Sequence, residues 1–181
     1  MRLILTYVFI GVVCSVVVGG QEVSTDRLDE RTRCIALFAE VLAYAKCRNP
    51  QAFFAKIADG GGADTFWLVP PEEVAELFKL GGVYGDTEKF FEKTVPHAAK
   101  ILEHFDTIRF AGLRREKEVR VGSRGRRGGA VGRGELLAIE ITLPEAVGAD
   151  LAKTGMDGNK IYSRLIFVEV DDQLYWVPFG W

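Results

Sequence analysis

Apolar positions along this chain follow two different periods. From Leu28 to Ala45 they recur every three or four residues, through Cys34, Ile35, Phe38, Val41 and Leu42, which predicts one long amphipathic helix. Ser24, Thr25 and Asp26 offer N-caps for it, and Asn49-Pro50 stops the run. Asn49 as cap with Pro50 at the first helical position predicts a second, short helix carrying Phe53, Phe54 and Ile57, ended by Gly60-Gly61-Gly62. Thr65 to Val69 has strand composition between that glycine run and Pro70-Pro71, and is expected as a short edge strand. Pro71, Glu72 and Glu73 then open a helix with the stripe Val74, Leu77 and Phe78, closed by Gly81-Gly82. Another helical pattern runs from Asp86 to Phe105. Pro96 removes a backbone donor inside it, so the segment is either one kinked helix or two short ones.

After Phe105 the period shortens to two. Ile108 and Phe110 alternate with Thr107 and Arg109, and Val119 and Val121 alternate with Glu118 and Arg120. Leu137, Ile139, Ile141 and Leu143 alternate with Ala138, Glu140 and Thr142, the pattern of a strand with one buried and one wetter face. Ile161 to Val170 and Leu174 to Phe179 flank Asp171-Asp172-Gln173, a hairpin signal. Helices first and strands afterwards define an α+β fold, with N-terminal helices packed on one face of a curved antiparallel sheet formed mainly by the C-terminal half.

The first twenty residues change the setting. Met1 and Arg2 lead into an almost wholly apolar run from Leu3 to Val18 and then Gly19-Gly20-Gln21, the form of an export signal with cleavage expected after Gly20. The run is shorter than the roughly 20 residues a helix needs to cross a bilayer, which disfavours a permanent span and leaves an uncleaved anchor at residues 3–18 as the alternative. Lipidation of Cys14 is a third option, set back by the Val13 in front of it. The expected location is therefore secreted or periplasmic, with membrane contact only if this segment is retained. Residues 21–181 then fit a single domain.

Of the cysteines beyond the signal, Cys34 and Cys47 fall on the first helix, 13 positions apart and so roughly 20 Å from each other at 1.5 Å per residue. A disulfide needs Cα atoms within about 7 Å. Two unpaired thiols are expected, and no Cys/His spacing points to a metal or a cofactor.

Charge is segregated. Residues 114–133 hold eight Lys or Arg against Glu116 and Glu118, whereas the chain as a whole has 23 basic and 25 acidic residues. Within it, Arg124, Arg126, Arg127 and Arg133 are spaced by glycines in a stretch read as a flexible loop at about 122–134. Guanidinium forks pair with anionic oxygens and glycines let the backbone follow a ligand, so these four arginines are anion-binding candidates. The partner would be an anionic polymer or an acidic protein surface. Export and the lack of interleaved aromatic residues disfavour nucleic acid. The plainer alternative is a solvated hairpin loop.

The helix-break-helix of Phe38 to Ala58, the short strand Thr65 to Val69 and the terminal hairpin ending Gln173-Leu174-Tyr175-Trp176-Val177 resemble the NTF2-like superfamily of cone-shaped α+β domains. The resemblance implies helices lying in the concavity of a curved sheet. It implies no single activity, since that superfamily includes isomerases and dehydratases as well as inert binding modules. A pocket in such a cone would draw on Tyr44, Trp67, His97, Tyr162 and Trp176, although rings bury apolar area wherever they sit and a core role is the bland reading. An enzymatic version would use His97 or Asp106 as general base, with Asp64 and Tyr162 nearby in kind. His97 has a structural alternative, bonding to a carbonyl freed by Pro96, and His104 can serve the end of its helix. Gly60-Gly61-Gly62 lacks the Lys-Ser/Thr of a phosphate loop, and the glycines from 122 to 134 match a dinucleotide pattern by chance, because a strand follows where a helix is required. The default reading is a non-catalytic binding domain of unidentified ligand.

Overall fold

The computed structural model describes residues 25–60, 64–70, 73, 87–123, 130–153 and 163–178. The export signal, all but Glu73 of the helix expected from Pro71 to Gly82, Arg124, Arg126, Arg127 and Tyr162 lie outside the described residues.

Helix α1 spans Thr25–Lys46 and buries the stripe Cys34, Phe38, Val41, Leu42 and Ala45. A short α2, Pro50–Phe54, follows at once, with the Asn49 side chain accepting from the Ala52 N–H at 3.1 Å. It is shorter than expected. Ile57 is already out of the helix, and Ala58–Gly60 form strand β1, hairpinned onto β2, Thr65–Leu68. Helix α3, Thr87–Glu103, carries Pro96 within one continuous element. A 3-10 turn, Phe105–Thr107, leads to β3, Arg109–Ser123, which joins the two expected alternating stretches into one long strand. Its partner β4 spans Ala130–Thr142. Helix α4, Glu145–Lys153, was not expected: Val147 and Leu151, one turn apart, bury its inner face. Strands β5, Arg164–Val170, and β6, Gln173–Val177, close the chain around a tight turn with Asp171 and Asp172 both at positive φ (49° and 62°).

The fold is α+β, with a six-stranded sheet in the order β1-β2-β3-β4-β5-β6. The sheet is mixed rather than antiparallel, because β2 and β3 run parallel in the register Thr65↔Arg120 to Leu68↔Ser123. The cause is connectivity: β2 reaches β3 only through a crossover containing α3, and crossovers of this kind join parallel strands. The same pairing places β2 between β1 and β3 instead of at an edge. The sheet also curls until its ends meet, with Ile57 bridged to Trp176 and the Trp176 N–H donating to the Lys56 carbonyl at 3.0 Å.

Closure creates two cores. The helix-bearing face gathers Leu137, Ile139, Leu165, Phe167 and Trp176 with the stripes of all the longer helices. The opposite face contributes Ala58, Phe66, Val119, Val121, Leu136, Ala138, Ile166, Val168, Val170 and Val177, residues from all six strands and none from a helix. These bury against one another inside the curl, so they are mostly small and β-branched. Gly134 fits this interior for lack of space: an added Cβ would lie 2.7 Å from the Glu169 carbonyl oxygen and 3.0 Å from methyls of Val121 and Val170. Gly132, Arg133 and Gly134 therefore belong to β4, and the connection between β3 and β4 is shorter than the expected loop at 122–134.

Candidate functional site

The helix-bearing core is filled with rings. Phe53 and Phe54 from α2 meet Phe90 and Phe91 from α3 with centroids 5.6 to 5.9 Å apart, mostly edge to face. Trp176 stands edge-on to Phe38 at 5.0 Å, and Phe38 continues to Phe105 at 6.1 Å and Phe105 to Phe110 at 5.6 Å. Trp176 is thus a buried packing residue. Tyr44 packs at the margin of this core and donates to Glu40 at 2.6 Å, a hydrogen bond that pushes its phenol above the usual tyrosine range. His97 is buried on α3 with Nδ1 against the Lys93 carbonyl, one turn back and beside Pro96. Asp106 is exposed, and Asp64 pairs with Lys117. Trp67 stands elsewhere, on β2 over Gly122. Among the described residues no group of three or more His, Cys, Asp or Glu is placed to hold a metal.

A polar cluster, unmarked by any sequence motif, joins α1 to the sheet. Arg115 of β3 pairs with Glu30 of α1 and Glu135 of β4, and reaches Glu169 of β5 at 3.6 Å. Arg33 adds a contact to Glu169 at 3.4 Å and donates to the Asp172 carbonyl at 2.7 Å, holding the β5–β6 turn. Arg31 donates to the carbonyls of Phe110 and Ala111 at 2.8 and 3.1 Å, where the β3–β4 ladder skips between Phe110 and Leu113. The arginines of α1 thus satisfy backbone groups that a bulge and a turn leave unpaired. Glu30 is only 6% exposed, and Cys34 sits one turn along the same stripe. Burial first, then the charges of Glu30 and Glu169, push the Cys34 thiol from 9.0 up to about 12. Cys34 is an inert core thiol, and both it and exposed Cys47 are unpaired. The signal in the sequence was a break in pattern: Glu30 continues the apolar stripe of α1 backwards, and Glu169 follows Leu165 and Phe167 at their spacing.

The far half of the β3–β4 hairpin is different. A register shift between Arg115 and Lys117 precedes it, and beyond it Val119 and Val121 face the inner core while Arg120 and Gly122 face outward. Trp67, in register with Gly122, has its ring where a side chain on Gly122 would be: an added Cβ would lie 2.5 Å from Cζ3. Arg120 lies directly opposite Arg133. Arg133 is 80% exposed and pairs with Glu118 at 2.8 Å, while Arg120 has no ion-pair partner among the described residues. In the described part nearer the helices, Arg114 pairs with Glu140 at 3.4 Å and Lys117 with Asp64. Its acid Glu116 is held by Arg164.

No protein-family model, no curated protein and no solved structure matches this chain. Among the described residues no helix is long and apolar enough to cross a membrane.

Proposed function

We propose that the protein is an exported, non-catalytic binding domain that takes an anionic partner at the end of its β3–β4 hairpin. The observation that carries this reading is the contrast in charge along the hairpin. Near the helices its arginine is matched by carboxylates, whereas at its end Arg120 and Arg133 face each other. The sequence from Val119 to Gly134 holds five arginines, among them Arg124, Arg126 and Arg127, and no acid. Two more features support binding over catalysis. Rings fill the helix-side core, and His97 and Asp64 are engaged by Lys93 and Lys117. The apolar run at residues 3–18 supports export. A long helix followed by a short helix and a curved sheet is the element order the chain shares with the NTF2-like pattern, although here the helices pack outside the curl and strands alone fill its inside.

The test is retention on a carboxylated matrix at low salt. The protein is expected to bind and to elute as salt screens the contact. A variant with Arg120, Arg124, Arg126, Arg127 and Arg133 replaced by Ser should pass through, and equal retention of the two proteins would remove the reading.

A further inference from the structure

Resting on the anion-binding reading, we propose that the outward face of β2, β3 and β4 binds a carboxylated polysaccharide, with Trp67 as platform for a sugar ring and Arg120 and Arg133 as forks for its carboxylates. Like charges directly opposite on neighbouring strands repel, and Arg120 and Arg133 occupy such a pair. A carboxylate between them turns that repulsion into two charge-assisted hydrogen bonds. Arg133 can turn toward it, since its tie to Glu118 is an exposed, solvent-screened pair that holds it only weakly.

Trp67 makes the site more than a charge pair. It lies on the same face, one strand over and two residues along from the position paired with Arg120, a backbone diagonal of roughly 8 Å from the spacing of strands and two residue rises, which neighbouring units of one glycan chain can span. Its ring is half-buried, held at a set height by the missing side chain of Gly122, and it offers an apolar plane with one N–H donor at the edge. Pyranose rings have a matching apolar face of C–H groups.

The surrounding polar groups are mixed. Asp59 is in register with Trp67 across β1 and β2, and Glu118 stands beside Arg133. Two acids against a simple polyanion would be a defect. Against a glycan they are acceptors for hydroxyls, which donate as well as accept, while the arginines serve as donors. An aromatic plane ringed by both kinds of group fits a polyol carrying carboxylates better than an acidic peptide, which would leave the plane unused.

Calorimetric titration of the full chain at low salt, with an oligogalacturonate and an oligoglutamate of equal charge, separates the claims. The oligogalacturonate should bind at least tenfold tighter. Arg120→Ser with Arg133→Ser should weaken both probes at least tenfold, and Trp67→Leu should weaken only the oligogalacturonate. In case Trp67→Leu does not fold, the Trp67 indole N–H resonance of the wild-type protein provides a second readout and should shift during the galacturonate titration. Equal affinity for the two probes, or an unmoved indole resonance, overturns the polysaccharide proposal and leaves anion binding standing. Absence of binding to either probe overturns both.

Discussion

Arg115 and Arg120 stand on one strand and face the same side of one sheet, in opposite surroundings. Arg115 meets carboxylates from α1, β4 and β5, while Arg120 meets another arginine. The difference lies in what covers the sheet. Where α1 packs down, a guanidinium must be matched or removed, because an unpaired charge at a covered site is costly. Beyond the register shift no described helix covers the strand, water solvates the side chains and the fold places no such demand. A basic residue is thus informative about ligands only where the fold leaves it unmatched.

The largest expected effect breaks the matched side. Arg115→Ala leaves Glu30 and Glu169 facing each other beneath α1, and should cost about 2–3 kcal/mol in urea unfolding, a figure reduced from that of a fully buried pair because Arg115 is partly exposed. Arg120→Ala should stay within about 0.5 kcal/mol of the parent protein.

Cys34 sharpens the same contrast through pH. Its thiol holds its proton up to about 12 when folded and to 9.0 otherwise, so its share of stability is complete below pH 9 and is lost as pH rises toward 12. At about 1.4 kcal/mol per pH unit, stability should fall by about 2 kcal/mol more between pH 8 and pH 10.5 in the parent than in Cys34→Ala. Parallel losses in the two proteins would show that the thiol does not titrate in this way.

On the unmatched side, Gly122→Ala should cost about 1–3 kcal/mol because the Trp67 ring must move, and should weaken galacturonate binding with it. Distant from both regions, Asn49→Ala should lower stability by about 1 kcal/mol through loss of the α2 cap. An unchanged thermal midpoint would show that Pro50 alone starts that helix.

Local features of the fold were legible in the sequence. The stripe of α1, the Asn49-Pro50 start, the alternation of β4 and the Asp171-Asp172 turn each depend on residues a few positions apart. The parallel pairing of β2 with β3 was not legible, since it joins residues more than fifty positions apart through a crossover. Nor was α4, whose two buried apolar residues are too few to impose a period. Of the site residues, Arg133 has glycine neighbours that suggest a loop, yet it belongs to a strand, and Trp67 and Trp176 look alike as pocket candidates, yet one lies over Gly122 and the other on Phe38. The spacing of the glycines at 122 and 134 carries no motif in the sequence. Their reason is steric, since a ring and a carbonyl from other strands occupy the space of their side chains.

The contrast between the covered and the solvated end of the hairpin is tested most directly by two double-mutant cycles in equilibrium unfolding, one on Arg115 with Glu30 and one on Arg133 with Glu118. The account predicts a coupling of about 2 kcal/mol for the first and at most about 0.5 kcal/mol for the second. Equal couplings would contradict it.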